Sequence, residues 1–255
     1  MTGNARTGTP SSLDLSGLPE NIARAVRAFF EPVVRDAGPN LLSAAIVGSA
    51  LTADYRPGVS DINSCLVLER VEVDFLDRLA DLGRRHSRKG LAVPLLMTGE
   101  YIRRSLDTFP LEFLGFQISH AVIFGTDYFA GLAFDKPHVR LACERELKAL
   151  SVNLQRNYLS CLGSAKALRN LLLSSMNATI PVLRGLLYLQ GLPSPLTKAE
   201  VVRSAEKALA LPAAPFDCVL HLRESRAKRP FNELRDVFRG FYEAIDAQSR
   251  RTDSL

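Results

Sequence analysis

The sequence is poor in cysteine. Its 255 residues include only four, Cys65, Cys143, Cys161 and Cys218, and no two of them form a CxxC pair. Structural zinc sites are built on such pairs, and disulfide-stabilised domains carry a higher density of cysteine, so neither kind of framework is predicted. Three of the four cysteines lie in apolar periodic runs, where a buried and reduced thiol is expected.

The sequence also lacks a strong excess of charge and an N-terminal signal. The formal net charge is +5, which permits an anionic ligand such as a nucleotide but is too mild to indicate a nucleic-acid partner. No basic segment followed by an apolar segment opens the chain, so no secretory signal is predicted. No apolar run of membrane-spanning length is apparent either. A cytoplasmic protein without a membrane partner is therefore expected.

Pattern divides the chain into three parts. Residues 1–17 are rich in Gly, Ser and Thr and predict a disordered arm. Residues 18–135 alternate short apolar runs with amphipathic segments, which predicts a mixed sheet with flanking helices. Residues 136–255 show only helical periodicity and predict an all-helical bundle domain. The predicted fold class is α+β.

The most informative stretch is a strand, a turn and a second strand in the first third of the chain. An apolar run that ends at Val47 predicts a buried strand, and Gly48-Ser49 then allows a sharp turn whose backbone N–H groups could hold phosphate. Asp61 and Asn63 open the next apolar run, and residues two apart on a strand point to the same face. This arrangement suits a metal-bound nucleotide.

These motifs resemble the signature of the DNA polymerase β-like nucleotidyltransferase superfamily, above all its minimal nucleotidyltransferases and aminoglycoside adenylyltransferases. In that signature Gly-Ser is followed by Asp-x-Asp, so Asn63 departs from it. The resemblance implies that Gly48 and Ser49 bind the triphosphate of ATP, and that Asp61, Asn63 and a third carboxylate hold Mg²⁺. The third carboxylate of the family lies on a later strand, and Glu112 is the best match. Asp61 and Glu112 are thus the expected catalytic residues.

The neutral side chain of Asn63 decides between two hypotheses. At an effective dielectric near 20, a unit charge about 4 Å from another is worth roughly 4 kcal/mol per charge product, so loss of one carboxylate weakens a two-ion site. The first hypothesis is an enzyme that transfers AMP from ATP to a hydroxyl of a small molecule or protein. The alternative is a catalytically impaired, nucleotide-binding or antitoxin-like interaction protein that keeps the fold.

Each candidate residue also has a purely structural interpretation. Asp61 could end a strand, Asn63 could be a structural hydrogen-bonding residue, and Glu112 could face solvent. Glu144 and Glu146 are expected near the start of the helical half, where relatives that modify small molecules place a general base, but such glutamates usually serve the helix dipole. A helical-domain ribonuclease is discounted, because no arginine lies at the required spacing before the histidines of the second half.

Overall fold

The computed structural model describes residues 12–86, 90–224 and 227–253. The chain forms two compact units. We call Met1–Leu106 with Ser119–Leu132 the sheet unit, and Asp107–Ile118 with Ala133–Leu255 the helical unit. The chain therefore enters the helical unit, returns to the sheet unit for one strand, and crosses again close to the boundary expected at residue 135.

The sheet unit contains a four-stranded mixed sheet, as the sequence predicts. The elements in chain order are α1 (Glu20–Ala37), β1 (Leu41–Val47), β2 (Asn63–Leu68), α2 (Val73–His86), β3 (Leu95–Thr98), α3 (Gly99–Arg104) and β4 (His120–Gly125). The strands lie in the order β3-β2-β1-β4. Strand β1 is antiparallel to both β2 and β4, whereas β3 is parallel to β2.

The core of the sheet unit lies between α1, α2 and one face of the sheet. Strand alternation places Ala44 and Ile46 of β1 on this face together with Ile62 and Leu66 of the neighbouring chain segment. Helix α1 contributes residues at helical spacing, among them Phe29, whose ring meets that of the adjacent phenylalanine edge-to-face with centroids 5.0 Å apart.

The disordered arm expected over residues 1–17 does not extend through residue 17. Residues 1–11 lie outside the described part of the chain, but Leu15 is buried and belongs to the core of the sheet unit. The backbone N–H of Asp14 also donates to the carbonyl of Ile123 at 2.9 Å. The prediction is therefore wrong for residues 12–17, because two leucines within a polar stretch supply enough apolar surface to dock it.

The helical unit is a bundle whose elements are α4 (Pro110–Ile118), α5 (Lys136–Ser160), α6 (Ala165–Leu189), α7 (Lys198–Leu209), α8 (Ala213–Glu224) and α9 (Phe231–Thr252). The bundle is arranged around the long apolar helix α6, and helices α4, α5, α7, α8 and α9 all pack against it. The capping box predicted at Thr197 and Glu200 opens α7.

Helix α6 meets the length and composition expected of a membrane span, contrary to the expectation that no stretch does. Its most apolar window has a mean hydropathy of 1.2. However, 61% of that window is buried inside the structure. The core helix of a soluble bundle has the same properties, and the packing of α6 against five other helices is of that kind.

The segment expected to be the strand carrying Glu112 is a helix, α4. Pro110 occupies the first helical position, where its missing N–H is not needed, and Glu112 lies in the first turn, where a carboxylate favours the positive end of the helix dipole. Leu111, Phe113 and Leu114 are buried, so the helix is apolar around most of its circumference. A run of that kind has no helical periodicity to distinguish it from a buried strand.

Two buried thiols should be chemically inert in the native protein. Burial raises the pKa of Cys65 and of Cys143 to about 12. Because only the thiolate is nucleophilic, we expect iodoacetamide near pH 8 to alkylate the half-buried Cys218 first and to reach the other two only after unfolding. Peptide mass spectrometry of native and denatured samples measures this order. Equal rates for Cys65 and Cys218 in the native protein would contradict it.

Candidate functional site

The Gly-Ser turn lies at the end of β1 and is clamped to the start of β4. The backbone N–H of Gly48 donates to the carbonyl of Ser119 at 2.9 Å, and the Ser119 hydroxyl donates to the carbonyl of Gly48 at 2.9 Å. Gly48 has φ +78°, a conformation that glycine adopts without strain. Nothing lies within 4 Å of the position that a Cβ on Gly48 would take. The turn is thus held in place and has open space beside it.

Asp61 and Asn63 are presented together because the residue between them is fixed. The N–H of Ile62 donates to the carbonyl of Gly90 at 2.7 Å, and its carbonyl accepts from the N–H of Ala92 at 3.1 Å. Ile62 is only 1% exposed, whereas Asp61 and Asn63 are exposed. In extended backbone the side chains on either side of a buried residue point away from it. The two polar side chains therefore share the face opposite the core.

The loop before Asp61 is closed on itself. The Ser60 N–H donates to the carbonyl of Arg56 at 2.8 Å, while the Ser60 hydroxyl accepts from the N–H of Arg56 at 3.2 Å. Nearer the turn, the Thr52 N–H and hydroxyl both donate to the carbonyl of Ser49 at 3.1 Å. Local hydrogen bonds therefore order both ends of the loop that joins the Gly-Ser turn to Asp61.

Sheet register brings Asn63 and His120 to the same end of the sheet as the turn. Val47, the last residue of β1, pairs with Asn63 of β2 on one side and with His120 of β4 on the other. Directly paired residues point to the same face, and neighbouring strands lie about 4.8 Å apart. Asn63 and His120 thus flank Val47 on one face, separated by about two strand spacings.

His120 makes a side-chain contact with Asp127 that sequence reasoning missed. Its Nε2 lies 3.1 Å from an oxygen of Asp127, and its ring packs edge-on against Phe129 with centroids 5.6 Å apart. The other oxygen of Asp127 accepts from the N–H groups of Phe129 and Ala130 at 2.8 and 2.9 Å. The side chain of His120 is 13% exposed. The pair therefore anchors the turn after β4 to the start of that strand.

The acidic partner of this pair should make folding stability depend on pH. Burial raises the pKa of Asp127, but hydrogen bonds from Ala130, His120 and Phe129 outweigh it and hold the pKa below its usual range. A lowered pKa in the folded state stabilises the fold above the pKa of the unfolded carboxyl, near 4, and this contribution disappears as pH falls through the folded value. Because Asp127 is partly exposed, we expect this carboxylate to contribute about 1 kcal/mol to the free energy of unfolding at neutral pH.

Asp127→Asn should therefore destabilise the sheet unit near neutral pH, and its difference from the native protein should shrink below about pH 4. Urea unfolding at neutral pH and at about pH 3 measures both effects. Asp77→Asn, an exposed change on α2, is the matched control. A difference that grows as pH falls would contradict the assignment.

Glu112 does not belong to the sheet that carries the other predicted residues. It is an exposed residue of α4 in the helical unit, whereas Gly48, Ser49, Asp61 and Asn63 belong to the sheet unit. Its metal-binding and catalytic roles stay predictions. Its expected position on a strand of the sheet is wrong.

The described residues include no cluster of three or more His, Cys, Asp or Glu side chains that could hold a metal ion. Asp61 and Asn63 offer one carboxylate and one amide carbonyl, both hard oxygen donors of the kind that Mg²⁺ prefers. Such a pair fits one cation that also binds phosphate oxygens, since Mg²⁺ is commonly held by one or two protein groups plus the phosphates of its substrate. It does not form a preassembled two-ion cage.

Comparison with known proteins supports the fold. No protein-family model and no curated protein sequence matches the chain. Among solved structures, the chain is similar to a spectinomycin adenyltransferase from Enterococcus faecialis, solved with ATP and spectinomycin. The TM-score is 0.57 at 11% sequence identity, and the match covers 90% of this chain and 98% of the other. At that identity the likeness shows the fold alone, and that fold is nucleotidyltransferase-like.

Proposed function

We propose that this protein is a Mg²⁺-dependent nucleotidyltransferase that moves AMP from ATP to a hydroxyl of a small molecule or protein. The observation that carries the proposal is the convergence, at one sheet end, of a clamped Gly48-Ser49 turn with Asp61 and Asn63. These are the residues that the resemblance assigns to phosphate and metal. The adenyltransferase with a similar fold was solved with ATP and spectinomycin, which favours a small-molecule acceptor.

Different residues of the sheet unit would bind the phosphates and the metal ion. The Gly48 turn would receive the triphosphate, because its φ and the open space beside it allow close backbone approach. Asp61 and the side-chain carbonyl of Asn63 would hold Mg²⁺. When bound, that ion neutralises charge on the phosphate oxygens. Through its contact with Asp127, His120 would hold the start of β4 in place beside the site, and it would not act as a base.

A proton acceptor for the attacking hydroxyl is not assigned to Glu144. That carboxylate lies in the interior of α5, not at its start, and accepts from Lys148 at 2.6 Å and from Arg140 at 2.9 Å. The hydrogen bond from Lys148, followed by the one from Arg140, keeps the pKa of Glu144 low. A carboxylate engaged by two cations is a weak base. Glu112 keeps the role that the resemblance gives it, that of the third carboxylate, as a prediction.

The impaired-relative alternative also has an observation in its favour. The site of the sheet unit pairs one carboxylate with a neutral amide, and the described residues offer no three-residue cluster of metal-binding type. Titration of Mg·ATP by calorimetry is the first test, because the transferase and an impaired nucleotide-binding relative both require nucleotide binding. Transfer of radiolabelled AMP to hydroxyl-rich acceptors, spectinomycin among them, then separates the two. Binding without transfer would favour the impaired nucleotide-binding relative, and absence of binding would leave only the interaction protein.

Asn63→Asp should raise Mg²⁺-dependent transfer by about tenfold or more. The added carboxylate increases the negative charge beside the cation, and one unit charge about 4 Å away is worth several kcal/mol at an intermediate dielectric before desolvation is subtracted. The measurement is the transfer rate together with the Mg²⁺ concentration that gives half of the maximal rate.

The control for this substitution is Asn170→Asp, which adds the same charge at an exposed position on α6. It should leave both quantities unchanged. If Asn63→Asp lowers transfer, Asn63 is not an imperfect ligand but a residue whose amide is required.

A further inference from the structure

The helical unit contains a basic cavity that the proposed nucleotide site does not use. We call it the α6 pocket, and it has a volume of about 600 Å³. Lys166 and Arg169 from the first two turns of α6 line one part, and Lys228 and Arg229, just before α9, line another. The buried Leu234 of α9 also lines the cavity. Small-molecule sites commonly enclose about 300–1,000 Å³, so the pocket is large enough for a ligand.

The charge of the α6 pocket is of one sign. Four of its lining side chains are Lys or Arg, and no acidic residue lines it in the described part of the chain. Elsewhere in the helical unit, basic side chains are found with acids: Lys148 lies 2.6 Å from Glu144 and 3.0 Å from Asp253. Like charges that lie close together repel one another and create a positive potential that an anion relieves.

One of the four cations has a structural role that explains its position. The guanidinium of Arg169 donates to the carbonyl of Leu222 near the end of α8 at 2.6 Å, where the last carbonyls of a helix need donors from outside it. Arg169 therefore fixes one wall of the pocket. The same explanation does not cover Lys166 and Lys228, which are exposed, or the half-buried Arg229. These three cations remain for a ligand.

The start of α6 lies at the same cavity. The Ser164 hydroxyl accepts from the N–H of Ala167 at 3.3 Å, which caps one of the first N–H groups of the helix. The N–H groups of the first helical residues, Ala165 and Lys166, have no partner within the helix by geometry. Ala165 and Lys166 both line the pocket. The positive end of a helix dipole therefore supports the side-chain charges.

We propose that the α6 pocket binds a phosphorylated small molecule. Several cations that approach from two chain segments match the several oxygens of a phosphate or diphosphate better than a single carboxylate, and arginine favours bidentate contacts with phosphate. The charge is concentrated in a cavity rather than spread along a stripe, so a small ligand is favoured over a nucleic acid. None of the residues that line the pocket is among those proposed for the nucleotide site.

The test is calorimetric titration of the full chain with inorganic pyrophosphate in the absence of Mg²⁺. We expect binding that weakens at least tenfold in the double variant Lys228→Gln/Arg229→Gln. Arg156→Gln/Lys207→Gln is the matched control, since it removes two exposed charges of the same unit outside the pocket. Asp61→Asn should leave this binding in place. Equal affinity for the pocket variant and the native protein, or an equal loss in the control, would overturn the proposal, as would the absence of binding to the native protein.

A second measurement needs no variant. Acetic anhydride modifies accessible lysines, and mass spectrometry quantifies each site with and without pyrophosphate. We expect protection of Lys166 and Lys228 and none of Lys207. Equal modification of all three in both conditions would overturn the proposal. Failure of this test leaves the transferase proposal standing, because that proposal is tested by Mg·ATP binding and AMP transfer.

Discussion

Asp61→Asn is expected to lower nucleotidyl transfer from Mg·ATP by about a hundredfold to a thousandfold. The substitution leaves two neutral amides, at positions 61 and 63, where the native sheet end presents one carboxylate and one amide. At an effective dielectric near 20, a unit charge about 4 Å from a cation is worth several kcal/mol, and each 1.4 kcal/mol corresponds to about a factor of ten in rate. The measurement is the rate of AMP transfer at saturating ATP over a range of Mg²⁺ concentrations.

The change at Asp61 should act on the site and not on the fold. Asp61 is exposed and nearly isosteric with asparagine, and exposed substitutions of this kind usually alter stability by no more than about 0.5 kcal/mol. Glu69→Gln, at an exposed position after β2, is the control and should transfer AMP at the native rate. Native activity in Asp61→Asn would show that the carboxylate does not hold the metal, and the proposed function would then lose its main residue.

The strand-turn-strand unit could be predicted from the sequence because its signals are local. A run of apolar residues before Gly48, a glycine that takes φ +78°, and alternation of Asp61, Ile62 and Asn63 each fix conformation within a few residues. The mixed sheet and the helical bundle follow from periodicity in the same way, and both are confirmed. The predicted face shared by the two polar side chains follows from strand alternation alone.

The position of Glu112 could not be derived from periodicity. Its segment is apolar around most of the helix, so neither the helical nor the strand period stands out. One local signal favours the helix: Pro110 at the first position with a glutamate in the first turn. The family resemblance favours a strand instead, and in this segment the local signal agrees with the structure.

The remaining features depend on contacts that the sequence pattern does not reveal. The pairing of His120 with Asp127 spans seven positions and depends on the turn after β4, and the hydrogen bond between Asp14 and Ile123 joins residues more than a hundred positions apart. The α6 pocket likewise needs α6 and the segment before α9 to meet. The sequence shows basic residues at these positions, but it does not show that they line one cavity.

The second large effect is expected at the glycine that ends β4. Gly125 has φ +76°, and a Cβ there would lie 2.0 Å from the carbonyl oxygen of Leu42, which also accepts from the N–H of Thr126 at 3.1 Å. Positive φ destabilises alanine by about 1–2 kcal/mol. Displacement of packed structure adds about 1–3 kcal/mol or more. Gly125→Ala should therefore destabilise the sheet unit by about 2–5 kcal/mol, a large fraction of the stability of an ordinary domain.

Two other glycines separate the contributions to this effect. Gly58 has φ +75° with nothing within 4 Å of the position that a Cβ would take, so Gly58→Ala should show the backbone strain alone, about 1–2 kcal/mol. Gly83 lies in α2 with open space around it, and Gly83→Ala should be neutral or stabilise by up to about 1 kcal/mol. Urea unfolding monitored by circular dichroism measures all three variants. If Gly125→Ala unfolds at the same urea concentration as Gly58→Ala, the close approach of β4 to Leu42 does not constrain the fold, because the backbone carbonyl must then move aside at no measurable cost.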